Sequence, residues 1–188
     1  MRILHIDTGR QMRGGQWQVL QLLAGLAERG HTSTLLARAG SPLFTAARER
    51  GFDVRTASLL ALGRARADVV HAHDARAHTL AALAARAPVV VSRRVAFPLG
   101  GGPLSRWKYG RAAHYIAVSA YVAQVLEAAG VARSRISVVY DGVPPAPPSG
   151  GGTRILALAT SDPKKGTALI EAAAALAGFE VRFSGDLP

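Results

Sequence analysis

Arg10-Gln-Met-Arg-Gly-Gly-Gln-Trp-Gln-Val-Leu20 is the stretch that decides the fold of this chain. It follows the apolar run Ile3-Leu4-His5-Ile6 and opens an apolar-periodic segment that ends at Gly30. A buried strand, a loop with paired glycines and then a helix is how doubly wound α/β proteins offer backbone N–H groups to a phosphate or sugar. The helix follows from spacing: Val19, Leu20, Leu22, Leu23, Leu26 and Ala27 recur at three- and four-residue steps, and Gly30 stands where a left-handed terminal residue is expected. Gly14 and Gly15 then fall at the helix N-terminus, where glycine allows a tight turn and a close ligand approach. A loop that only turns the chain is the simpler reading of the same two glycines.

Working outward, short runs rich in Val and Ile alternate with helical patterns. Strands are expected at Ile3 to Ile6, Ser33 to Ala37, Phe52 to Val54, Asp68 to His73, Pro88 to Ser92, Tyr115 to Ser119 and Ile136 to Tyr140, with helices near Ser41 to Arg50 and Arg76 to Arg86. Continuous apolar strands between helices predict an α/β fold with a doubly wound parallel, Rossmann-like sheet over residues 1–143. The run Pro144-Pro-Ala-Pro-Pro-Ser-Gly-Gly-Gly breaks the pattern and reads as a linker, 144–153. Residues 154–188 then read as strand, helix and strand, a βαβ unit too short to bury a core alone, as if the chain stopped partway into a second domain.

The 188 residues are 49% hydrophobic and 19% charged, which excludes disordered and fibrous classes. No apolar run approaches the roughly 18 residues that a membrane helix needs, and the chain starts directly in a strand, so a cytoplasmic protein without a signal peptide is expected. The absence of Cys agrees. The net charge of +11 comes from 23 basic residues, of which 20 are Arg, and suits polyanions or an anionic membrane face. Nucleic acid is not the expected partner, because the Arg residues are scattered and aromatics make up only 6%.

In open α/β sheets ligands bind beyond the carboxyl ends of the strands. That rim collects Arg10 to Gly15, His73 and Asp74, Ser92-Arg93-Arg94, Ser119 and Asp141-Gly142, a set suited to an anionic ligand such as a nucleotide sugar or lipid phosphate. His71 and His73 share a strand face and invite a metal reading. None of His5, His31, His78 and His114 stands at a spacing that completes such a site, so no metal is expected; His73, nearer the rim, is the more functional of the pair, and Asp74 also suits a helix cap. Lys164-Lys165-Gly166-Thr167 has the wrong order for a phosphate loop and leaves an anion contact or solvated lysines.

Taken in order, the Arg-Gly-Gly loop, Ala27-Glu-Arg-Gly-His31, Asp68-Val-Val-His-Ala-His-Asp74, Val91-Ser-Arg-Arg-Val95, Tyr115-Ile-Ala-Val-Ser-Ala120 and Ile136-Ser-Val-Val-Tyr-Asp-Gly-Val143 resemble the N-terminal domain of a GT-B glycosyltransferase of family 4. Asp162-Pro-Lys-Lys-Gly166 and Phe183-Ser-Gly-Asp-Leu-Pro188 resemble the start of that family's donor-binding domain. The resemblance implies retaining transfer of a sugar from a nucleotide sugar to a saccharide or lipid-linked acceptor in bacterial cell-envelope glycan synthesis, without a further cofactor or a metal. It implies His73 as the catalytic residue, Gly14, Gly15, Arg93 and Arg94 as substrate-binding residues, and Lys165 at the donor phosphate; Gln16, Asp74 and Ser119 join the substrate-binding candidates from their places on the rim. Ala159-Thr160-Ser161 replaces the family's Gly-Arg-Leu, Gln16-Trp17 replaces the x-Glu of its Gly-Gly-x-Glu loop, and its paired-glutamate segment has no counterpart here, so a chain deficient in donor binding or catalytically inactive is expected. Two other classes remain open: a non-catalytic module for an anionic saccharide or lipid acceptor, and a protein completed by a second chain, as in a homodimer through the C-terminal unit. The Ala96 to Gly102 loop is expected to be mobile and to close over a ligand.

Overall fold

The computed structural model describes residues 1–97, 100, 102–145, 155–158 and 166–184. They fall into two compact units, Met1–Val143 and Pro144–Pro188. Residues 146–153 of the expected linker, Lys165, and Pro98, Leu99 and Gly101 of the expected mobile loop lie outside the described residues.

In the first unit, strands β1 (Arg2–Asp7), β2 (Thr32–Ala37), β3 (Asp53–Thr56), β4 (Val69–Ala72), β5 (Val89–Arg93), β6 (His114–Ala117) and β7 (Ile136–Val138) alternate with helices. These helices are α1 (Gly14–Glu28), α2 (Pro42–Glu49), α3 (Leu59–Arg64), α4 (Ala75–Ala84), α5 (Pro103–Arg111) and α6 (Ala120–Ala128). Every strand pairing is parallel, in the order β3-β2-β1-β4-β5-β6-β7. The doubly wound parallel sheet read from the sequence is therefore the observed one.

Winding explains which face each helix covers. Parallel crossovers are right-handed, so connections that step from β1 to β3 put their helices on one face, and those that step from β4 to β7 in the other direction put theirs on the opposite face. One core accordingly joins Val19, Leu20 and Leu23 of α1 and Leu43 and Ala47 of α2 to Leu35 and Ala37 of β2. The other joins Leu4 and Ile6, Val70 and Ala72, Val91, Tyr115 and Ala117 to Leu62, Ala77, Ala81 and Leu126 of α3, α4 and α6. Because side chains alternate along a strand, His5, His71 and Ser92 point to the α1 face.

Local sequence sets the element ends. Ser41, Ser58, Asp74 and Ser119 each cap a helix by accepting a backbone N–H from its first turn. Gly30 ends α1 at φ 73°, the left-handed conformation that its position called for. Gly14 and Gly15 take no positive φ, so they do not serve an unusual turn; nothing lies within 4 Å of a Cβ built on Gly14.

The second unit pairs β8 (Ile155–Ala157) with β9 (Val181–Phe183) in parallel, with α7 (Thr167–Ala177) between them. Between α7 and β9, Gly178 turns left-handed at φ 71° and Phe179 N–H still bonds the helix at Ala174 O, 3.0 Å away. Among the described residues no helix is long and apolar enough to cross a membrane.

Candidate functional site at the sheet reversal

β1 and β4 are neighbours in the sheet but distant in sequence, and between their carboxyl ends the winding changes direction. In open α/β sheets this is the crevice where ligands bind. β1 ends at Asp7 and is followed by Thr8; β4 ends at Ala72 and is followed by His73 and Asp74.

Asp7 is buried at 2% exposure and accepts the Gly9 N–H at 2.8 Å and the Gln16 side-chain amide at 3.1 and 3.0 Å. The Gln16 carbonyl accepts the Arg13 N–H at 3.2 Å, so this one amide braces the turn that leads into α1. Burial raises the Asp7 carboxyl above its ordinary range, and the Asp74 charge adds to the rise; the Gly9 and Gln16 donors and the Arg94 charge oppose it. Gly9 is the glycine that this loop requires, since a Cβ there would stand 2.6 Å from Gln16 Nε2.

Asp74 has both oxygens engaged. It accepts N–H groups from Arg76 at 2.8 Å and Ala77 at 2.9 Å at the start of α4, and the backbone N–H and hydroxyl of Thr8 across the reversal. The loops after β1 and β4 are therefore joined.

Beneath them lie three imidazoles. β1 and β4 pair in a register that sets His5 opposite His71. His5 Nδ1 is 3.0 Å from His73 Nε2, His5 Nε2 is 3.4 Å from Ser33 Oγ, and His71 Nε2 is 2.8 Å from Ser92 Oγ. Burial holds His5 down to about 4 and His71 to about 3, and pushes His73 well below 6.5; neighbouring rings and the Arg94 charge depress His71 and His73 further. All three are neutral near pH 7. One nitrogen from each lies within 4.8 Å of the others, close enough to share an ion. Against that use, the cluster has the Arg94 cation nearby, no carboxylate bonds it among the described residues, and His5 and His73 already bond each other. The arrangement is that of a neutral hydrogen-bonded cluster.

Arg94 carries the positive charge. Its Nε donates to both Asp141 oxygens at 3.1 Å, its side chain is 18% exposed, and its Nη1 is buried without a partner. Its Cδ lies 3.9 Å from a Cβ built on Gly15, so it stands beside the α1 N-terminus. Arg93 points to the other face, donating to Phe97 O at 2.8 Å and Tyr109 Oη at 3.4 Å. Ser119 is occupied as the α6 cap, accepting from Val122 N–H at 3.2 Å. Gly14, Gly15, Gln16, His73 and Arg94 thus gather at the reversal, Asp74 ties its two loops together, and Arg93 and Ser119 sit apart from it.

Beside Arg94 a cleft of about 290 Å³ opens between α1 and the sheet, lined by Gln18, His71, Ser92, Arg94, Val118 and Tyr140. On the same strand edge, a hollow of about 560 Å³ is bordered by Thr8, Arg38, Thr56 and Arg76. A further hollow of about 420 Å³ lies at the opposite strand ends, by Arg2, Thr32 and Arg66, away from the reversal.

Known proteins resemble both the sequence and this architecture. The glycosyltransferase family 4 model matches residues 12–146. HepE of Anabaena, solved in complex with UDP-glucose, superposes with a TM-score of 0.73 at 16% identity, over 97% of this chain and 59% of that one. A glycosyltransferase from Rickettsia africae superposes at 0.67 and 18% identity, over 97% and 59%. The lipopolysaccharide outer core galactosyltransferase WaaB does so at 0.62 and 14% identity, over 98% and 68%. The chain thus spans about 59% of the length of HepE. No curated protein matches the sequence. With the family model covering residues 12–146, the chain belongs to glycosyltransferase family 4.

Proposed function

We propose that this chain carries the acceptor-side half of a retaining glycosyltransferase, which moves a sugar from a nucleotide sugar to a saccharide or lipid-linked acceptor of the bacterial cell envelope, at the cytoplasmic face of the membrane. One observation carries the reading: a guanidinium nitrogen of Arg94, buried and unpartnered, beside a helix N-terminus left open by two glycines. The first turn of α1 leaves the N–H groups of Gly14 and Gly15 without an intrahelical acceptor, and its dipole favours an anion there. A diphosphate fits that pair of demands. HepE, similar in fold, was solved with UDP-glucose, which makes a uridine nucleotide the first donor to test.

In the proposed reaction the bond from the anomeric carbon to the diphosphate oxygen breaks, and an acceptor oxygen bonds the same carbon on the same face. The acceptor proton leaves with the diphosphate or to water. Arg94 and the α1 N-terminus would stabilise the charge that develops on the leaving diphosphate, and preorganised donors of this kind act most strongly where water is excluded. His73, neutral at the reversal, would hydrogen-bond the reacting sugar. An anionic acceptor would lie across the hollow bordered by Arg38 and Arg76, and the net charge of +11 would hold the protein at an anionic membrane.

Calorimetric titration of the 188-residue chain with UDP, GDP and UDP-glucose at moderate salt tests the reading. Saturable binding that Arg94→Ala weakens is the expected result. No binding to any nucleotide, together with saturable binding of an anionic glycolipid, would replace it with a non-catalytic acceptor module.

A further inference from the structure

We propose that His5 is a positioning residue for His73: it accepts the His73 Nε2–H on its own Nδ1 and so keeps His73 Nδ1 as a bare hydrogen-bond acceptor. The assignment of a purpose to that acceptor rests on the sugar-transfer reading; the hydrogen-bond relay itself does not.

His5 Nδ1 and His73 Nε2 stand 3.0 Å apart, on two buried rings tilted only 16° from each other. Between two neutral imidazoles a hydrogen bond runs one way, because one nitrogen supplies the N–H and the other the lone pair. Two self-consistent chains exist. In the first, Ser33 Oγ–H donates to His5 Nε2, and His5 Nδ1–H donates to His73, which must then carry its own proton on Nδ1. In the second, His73 Nε2–H donates to His5 Nδ1, and His5 Nε2–H donates to Ser33 Oγ. The two differ in what they leave at His73 Nδ1, which is buried without a partner. The first chain strands an N–H there; the second strands only a lone pair. A buried orphan donor is the costlier and rarer of the two, so the second chain is favoured. The backbone holds the same geometry, because His73 N–H donates to Ile6 O at 3.0 Å and fixes the residue against the strand that carries His5. His73 thus keeps a bare acceptor on Nδ1, with both its ring and its backbone held by β1.

Ring-nitrogen NMR of the full chain, by two-bond 1H–15N correlation with His73 assigned from loss of its signals in His73→Gln, reads the tautomer directly. In the wild type, His73 is expected to carry its proton on Nε2. His5→Asn, whose side-chain oxygen stands near the former Nδ1, should preserve that pattern, and His5→Phe, which has no acceptor, should shift His73 toward the Nδ1–H form. A wild-type His73 protonated on Nδ1 overturns the proposal, as does an unchanged tautomer in His5→Phe. If His5→Phe does not fold, the wild-type spectrum still decides, and Ser33→Ala should raise the fraction of the other tautomer by freeing the outer nitrogen of His5. Titration of the same sample with UDP, GDP and UDP-glucose separates the two readings. The expected tautomer without nucleotide binding removes the sugar-transfer reading and leaves the relay, whereas nucleotide binding with the opposite tautomer removes the relay alone.

Discussion

Gln16 turns its amide nitrogen onto both oxygens of Asp7, at 3.1 and 3.0 Å, and so serves a buried carboxylate from the first turn of α1. Gln16→Glu would bring a second carboxylate to the same place and remove a donor. The variant is expected to lose about 1–3 kcal/mol at pH 7, the cost of leaving a buried acceptor unpaired, with like-charge repulsion in addition. The sign with pH follows. A carboxyl raised in the folded state binds more protons folded than unfolded, so its contribution is greatest below the unfolded value of 3.8 and fades as pH rises through the folded value. Urea denaturation of wild type and variant at pH 5 and pH 8 should show the deficit widening toward pH 8.

The three neutral imidazoles predict the opposite slope. Their folded values lie below 6.5, so the unfolded chain takes up protons that the folded chain refuses. Stability is full above pH 6.5 and falls as pH drops toward 4. At about 1.4 kcal/mol for each pH unit over which one proton is refused, His5 and His71 together remove several kcal/mol across that window. Denaturant midpoints measured from pH 7.5 to pH 4.5 should fall steeply below 6.5, and a flat profile would contradict the burial described here.

Arg94→Lys separates shape from charge. Lysine keeps the charge beside Gly15 but has no planar fork to engage both Asp141 oxygens while presenting a further N–H. Nucleotide affinity is expected to fall about tenfold, roughly the 1.4 kcal/mol of one charge-assisted hydrogen bond, with little change in thermal stability. Calorimetry alongside a melting curve reads both quantities.

Asp74→Ala removes the cap of α4 and the acceptor for Thr8 together. The expected loss is about 2–4 kcal/mol, because a cap is worth roughly 1 kcal/mol and the stranded Thr8 donors add their own cost. Asp74→Asn keeps some acceptor capacity and should lose less. Denaturant midpoints of the two variants give the order.

Much of the fold was legible because the strands of a covered parallel sheet announce themselves. Val69-Val70, Val89-Val90-Val91 and Tyr115-Ile116-Ala117 are short apolar runs with turn residues around them. Three helices, α3, α5 and α6, escaped notice, and for α3 and α5 the reason is physical. α3 has six residues, and Pro103–Arg111 buries none of its side chains, so neither leaves an apolar stripe to read. Within the site, Gly14, Gly15, His73 and Arg94 were legible from their places after strands. His5 and Asp7 were not: a lone His inside an apolar strand shows no partner until β1 pairs with β4 and sets it against His71. Gly9, the tightest glycine of the loop, had no signal beyond its neighbourhood, because the crowding comes from Gln16, seven residues on.

The four bonds on Asp74 have a consequence for ligand capture. Thr8 and the first turn of α4 share a single carboxylate, so the glycine loop and the His73 loop cannot wander independently in the free protein. Their conformational freedom is surrendered during folding, and a ligand that spans them meets a surface already in shape. Association with this half of the site therefore carries little ordering entropy, which lets even a few polar contacts give measurable affinity.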